Sequence, residues 1–176
     1  NTFLSLGRYV PSHTDLSYIM LVTDPELSLK ILDSNGNEIA TSFVQEPIVD
    51  PIDSTQKNEP LTMLYFEQPS EGTYQIVASG PSNKIFTLSS YLYDKAGNVK
   101  MLDTNDIISS AFNSFMISFD KNDTDQSTVQ KIVTFQSTIS DIKQLDQLGL
   151  INHGVATALS EHIKKSEKEY EKNDVD

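Results

Sequence analysis

The sequence predicts a mainly β chain, an antiparallel β-sandwich of seven or eight strands followed by a two-helix hairpin. Three observations carry this expectation. From Ser17 to about Leu102 the apolar residues fall in short runs of strand length, broken by turn formers. Within several of those runs apolar and polar residues alternate, which is the period of a pleated strand. At about Phe135 the period changes to between three and four, that of an amphipathic helix.

The first clear strand contains Leu27, Leu29 and Ile31, which alternate with Ser28 and Lys30 and so share one face. Asp33-Ser34-Asn35-Gly36 follows as a turn, because Asn-Gly reaches positive φ at low cost. Glu46 to Pro60 holds three prolines and little periodicity, and reads as a long loop or a crossover between sheets. Leu61 to Phe66, Thr73 to Ala78 and Ile85 to Tyr93 read as strands. Pro69-Ser70-Glu71-Gly72 and Gly80-Pro81-Ser82-Asn83 between them read as hairpin-type connections. Lys95-Ala96-Gly97-Asn98 turns the chain again, and Ala111 to Phe119 forms a further strand with Phe115, Ile117 and Phe119 on one face. Two sheets packed face to face, in an immunoglobulin-like or jelly-roll-like arrangement, bury that many one-sided strands. Tyr65, Tyr74, Phe86 and Tyr91 are expected to fill the layer between them.

In the tail, Ile139, Ile142, Leu145 and Leu148 make one helical stripe, and Gly149 is placed to stop that helix. Asn152 is a candidate N-cap for a second helix, whose stripe is Val155, Leu159 and Ile163. The organisation expected is a lead-in over 1–16, a sandwich over 17–134, a helical hairpin over 135–168 and a frayed charged tail over 169–176. The lead-in reads as a link from an upstream domain.

Composition narrows the class. With 38% hydrophobic and 22% charged residues the chain falls well short of a disordered composition, so it should fold. A formal charge of −12 repels phosphate backbones and anionic headgroups, which argues against nucleic acid and membrane surfaces as partners. No run approaches the ~20 apolar residues that span a bilayer, and residues 1 to 20 lack the pattern of a signal peptide. The absence of cysteine rules out a disulfide, a thiolate metal site and a cysteine nucleophile.

Catalytic patterns are sparse. Of the three histidines, His153 and His162 are nine residues apart and fall on opposite sides of one helix. No His-Glu-x-x-His, nucleophile elbow, phosphate-cradling loop or dinucleotide fingerprint occurs in the sequence. Ser12-His13-Thr14-Asp15 sets three triad residue types side by side, whereas a triad needs them to converge from different elements. It reads as a polar turn, or else His13 belongs to an active site whose other members lie upstream. Asp120-Lys121-Asn122-Asp123-Thr124-Asp125 is the densest oxygen cluster, and Asp120, Asn122, Asp123 and Asp125 are the candidate calcium ligands. The loop lacks a glycine at the sixth position and carries Lys131 at the twelfth, so it is not an EF-hand, and an exposed turn is its other reading. Asp33 to Asn37 suggests the same metal but is explained as a turn. Tyrosines offer platforms for a carbohydrate, although in strands they alternate as core residues do.

The run Leu27 to Asn37 followed by Phe66 to Gly80, with its L-x-I-x-D-x-x-G and P-x-x-G-x-Y-x-I elements, resembles the β-sandwich modules on the C-terminal side of secreted bacterial lipase-like hydrolases and von Willebrand A-type surface proteins. The resemblance covers roughly Asp15 to Phe119. Residues 139–164 resemble the small hairpin of FIMAH-type domains. The resemblance implies an extracellular or cell-surface, non-catalytic accessory module, which supports or orients an upstream catalytic or adhesive domain and binds protein or carbohydrate. Two rivals stand beside it: a C-terminal piece of a secreted lipase or esterase that contributes His13, and a calcium-stabilised adhesin-like module.

Overall fold

The computed structural model describes residues 15–46, 60–81, 84–108 and 112–173. Ten strands are found among them: β1 (Tyr18–Thr23), β2 (Ser28–Leu32), β3 (Glu38–Thr41), β4 (Phe43–Gln45), β5 (Leu61–Glu67), β6 (Gly72–Ser79), β7 (Lys84–Tyr93), β8 (Val99–Ile108), β9 (Phe112–Phe119) and β10 (Thr128–Lys131). They form two five-stranded antiparallel sheets, the first ordered β4-β5-β1-β7-β8 and the second β10-β9-β6-β2-β3. The expected sandwich is present, with more strands than the seven or eight read from sequence. The additional ones are short, as β3, β4 and β10 are, or polar along an edge, as β8 is with Asp103 to Asp106.

The inward faces follow the alternation of the sequence. Leu29 and Ile31 from β2, Ile76 from β6, and Phe115 and Ile117 from β9 meet Ile19 and Leu21 from β1 and Leu88 from β7, all fully buried. Phe86 and Phe115 touch edge to face across the layer at 6.3 Å, a favoured aromatic geometry. The sheets are joined at polar points as well: the Thr62 hydroxyl donates to the Leu27 carbonyl at 2.8 Å. Where the chain passes from β3 in one sheet to β4 in the other, Ser42 holds the corner. Its N–H donates to the Leu29 carbonyl and its hydroxyl accepts from the Leu29 N–H.

Two expectations about connections are corrected. Pro69 to Gly72 and the stretch beginning at Gly80 do not close hairpins, because β5 and β7 belong to the first sheet and β6 to the second. They are arches across the sandwich. The buried ring of Tyr74 braces the first arch by donating its hydroxyl to the Ser70 carbonyl at 2.7 Å. A side chain at Gly80 would run into the Leu27 side chain, so a larger residue at the start of the second arch would force Leu27 to shift. The described strands that follow one another in the chain and do pair are β2-β3, β4-β5, β7-β8 and β9-β10.

The tail is a helical hairpin, α1 (Phe135–Gln147) and α2 (His153–Asn173). Thr134 caps α1 in a reciprocal box with Ser137, and Gly149, at φ 69°, stops it as expected. Asn152 accepts from the Gly154 N–H at 2.8 Å at the start of α2. The stripe expected on α2 is corrected: Val155 and Leu159 are exposed, and Ala156 is the buried residue, a small side chain that lets the helices approach. The helix also continues through positions 169–173 rather than fraying. The Phe135–Tyr170 ring contact at 6.0 Å and the Gln136–Glu167 hydrogen bond at 2.9 Å hold that end to α1. Lys131, at the end of β10, clamps the hairpin to the sandwich through Asp106 of β8 at 2.8 Å and Asp141 of α1 at 2.6 Å. No helix among the described residues is long and apolar enough to cross a membrane.

Candidate functional surface

Asp120, Asn122, Asp123 and Asp125 lie in the connection from β9 to β10, where Asp120 and Asp123 turn side-chain oxygens to local N–H groups. Asp120 Oδ1 accepts from the backbone N–H of Asn122 at 2.8 Å and of Asp123 at 3.0 Å. Asp123 Oδ1 accepts from the Asp125 N–H at 3.0 Å, capping a single 3-10 turn. The Asn122 amide donates to Glu71 at 3.1 Å while its oxygen accepts from Lys95 Nζ at 2.6 Å. Lys100 Nζ donates to the carbonyls of Asp125 and Ser127, both at 2.8 Å. Ammonium groups therefore sit beside this loop, and among the described residues no three His, Asp or Glu side chains converge as a metal site.

His13 lies outside the described residues, as do positions 47–59 of the long loop. Its neighbour Asp15 pairs with Lys121. Hydrogen bonding to that ammonium, and then to Ser17, holds the Asp15 carboxyl down at about 2. His153 meets Asp146 at 2.7 Å on the exposed tip of the helical hairpin.

Asp33 and Asp94 repeat one local device. Each opens a D-x-x-G-N turn and accepts from the N–H groups two and four residues on and from the Asn side chain. Gly36 and Gly97 hold matching φ values of 82° and 85°. The Asp33 carboxyl is thus fully engaged as a turn-former, which accounts for it without a metal.

The feature that sequence reasoning missed is the outer face of the first sheet. Cross-strand register sets Met101, Tyr91, Met20 and Tyr65 in one row over four strands, and Tyr93 beside Tyr18 in the next. Tyr65 and Tyr91, expected in the core, stand on this outer face, whereas Tyr74 and Phe86 are inside. Met101, Tyr65 and Phe43 are 57%, 44% and 46% exposed, high values for residues of this size on a regular sheet. Tyr18 and Tyr93 stack at 3.9 Å, and Phe43 lies against Tyr65 at 5.9 Å. Burial, then hydrogen bonding with Tyr93, pushes the Tyr18 phenol up to about 12. At one end of the face Asp15, Ser17, Tyr18, Tyr65, Glu67 and Tyr93 line a shallow groove of about 490 Å³. The carboxylates of Glu67 and Asp103 lie on the face, and no described lysine or arginine points from it. The outer face of the second sheet is the ordinary case. Ser28, Lys30, Gln75, Ser114 and Ser118 dominate it, and Lys30 pairs with Glu38 at 2.6 Å.

The signal for this asymmetry is in the sequence. Tyr18 to Val22 and Met63 to Phe66 are continuous apolar runs rather than alternating ones, the pattern of strands covered on both faces. Compared with protein-family models, curated proteins and solved structures, the chain has no match.

Proposed function

We propose that the chain is a non-catalytic accessory module of an exported bacterial protein, placed outside the cell or on its surface. It works by packing the outer face of its first sheet against a neighbouring domain, which it supports and orients. The observation that carries this reading is the contrast between two faces of one sandwich. One is mostly polar, and the other sets Met101, Tyr91, Met20 and Tyr65 in one row with Tyr18 and Tyr93 beside it and carries no basic residue among those described. Aromatic and methionine enrichment with lysine depletion is the composition of a protein interface core. The resemblance of Leu27–Asn37 and Phe66–Gly80 to accessory sandwiches supports the same role. Ring geometry favours a protein over a sugar as the covering group, because Tyr18 and Tyr93 stack on each other and spend a face each, leaving less flat platform.

The test is association with the domain encoded beside this module, measured by calorimetry with Met101→Lys and Tyr65→Lys. Both side chains are exposed, so the melting temperature should hold while affinity falls by about tenfold or more. Unchanged affinity in both variants would refute the reading.

A further inference from the structure

Two carboxylates stand in the apolar field of the first sheet. Glu67 and Asp103 are exposed, and neither makes a hydrogen bond or ion pair among the described residues. Several acids elsewhere on the module are matched from within the chain: Asp15 by Lys121, Glu38 by Lys30, and Asp106 and Asp141 by Lys131. The register gives the two unmatched groups fixed places. Glu67 of β5 shares a row with Tyr18 and Tyr93, and Asp103 of β8 shares a row with Ser89 and Val22. Three strand spacings and four residues separate them, about 14 Å across the sheet and about 13 Å along it. They therefore stand about 20 Å apart, at opposite corners of the field, with Met20 and Tyr91 between them.

We propose that Glu67 and Asp103 select a neighbouring domain whose contacting surface is apolar and carries two cations, arginine or lysine, about 20 Å apart. The proposal rests on the reading above, that this face packs against a neighbouring domain, and names what that domain presents. Covering the face takes both carboxylates out of water, and an ionised carboxylate buried without a cation is strongly unfavourable. The face has no lysine or arginine of its own among the described residues, so the cations come from whatever covers it. A second copy of the same face brings the same acids and no cation, which makes it the wrong partner. Two separated charges also do what one cannot. A single ion pair leaves the covering domain free to turn on the face, whereas pairs at opposite corners limit that rotation. Tyr65 and Met101 supply exposed contact area, and the two acids set the angle at which it is used.

The test is calorimetry with the same neighbouring domain, using Glu67→Gln and Asp103→Asn, which keep size and remove charge. Both sites are exposed, so the variants should keep the melting temperature of the unaltered chain. Each variant should bind about tenfold or more weakly. Added salt should weaken binding of the unaltered chain, and the double variant should lose most of that dependence. Affinity that holds or rises in either variant overturns the proposal, and so does an unaltered chain whose affinity ignores salt. If Met101→Lys and Tyr65→Lys still weaken association in that case, the face remains an interface and only the demand for two cations falls. Unchanged affinity in all four variants overturns the reading together with the proposal.

Discussion

Asp33 and Asp94 make the same turn in different surroundings, and the difference has a measurable size. Asp94 is 2% exposed and Asp33 is half-buried, while the N–H groups they hold belong to exposed residues in both turns. Asp94→Ala therefore releases the Ala96 and Asn98 donors to water and costs about 0.5–1.5 kcal/mol, the net worth of a hydrogen bond. Asp33→Ala, at the more accessible carboxylate, costs less; urea denaturation of the two variants should rank them in that order, and equal losses would show that burial of the carboxylate is not what separates the turns. At Asp94 burial works against ionisation, but the hydrogen bonds from Asn98, Ala96 and Gly97 override it and keep the carboxyl below its ordinary value. Asp33 is lowered by its bonds to Asn37 and Asn35. Folded values below the unfolded one mean that these groups stabilise fully above the ordinary aspartate range near 4 and lose that contribution as pH falls through their lower folded values. At this scale the sequence was readable for Gly36, Gly97 and Gly149, where one residue type answers one backbone need. It was misleading for Tyr65 and Tyr91, because a tyrosine in a strand pattern looks the same whether it faces a core or an interface.

Among the elements, strict alternation made β2 and β9 legible: Leu29 with Ile31, and Phe115 with Ile117 and Phe119, point inward as read. β8 was missed because Asp103, Thr104, Asn105 and Asp106 carry no apolar period, and its ladder to β7 supplies what local pattern lacks. Turn residues announced each change of direction but not which sheet the next strand joins, which is why two arches read as hairpins. The most exacting junction between elements is Lys131. Burial disfavours its charge, yet Asp106 and Asp141 more than compensate and raise its pKa above the ordinary value. Lys131→Met leaves those carboxylates facing each other. With 11–25% of the three side chains still exposed, the cost falls to about 1–3 kcal/mol, below that of a fully buried pair. Hydrogen exchange should quicken in α1 and α2 while β1 and β7 keep their protection. In the unaltered chain the same clamp holds fully below the ordinary lysine range and is released as pH rises through the raised folded value.

For the molecule as a whole, the sandwich and hairpin could be read from periodicity, and the continuous apolar run Tyr18 to Val22 marks a strand apolar on both faces, whereas the row of Met101, Tyr91, Met20 and Tyr65 emerges only from the register. The acidic loops bear on the response to ions. Asp120 and Asp123 are engaged by backbone N–H groups, and Lys95, Lys100 and Lys121 crowd the loop that holds them. Adding millimolar calcium should therefore move the melting temperature by less than about 2 °C; a larger upward shift would assign an ion site to residues 120–125.

The placement of the strands also decides how the module yields under tension. Its entry strand, β1, is central and held by six register pairs to β5 and five to β7, whereas β10, its last strand, is an edge held by four pairs to β9. A pull transmitted along the chain peels β10 and the helices before it disturbs β1. The peeled stretch, residues 128–173, pays out about 150 Å of extended chain. A domain tied to β1 would then keep its seat while the far end lengthens, so the module would behave as a shock absorber with a rigid upstream mount.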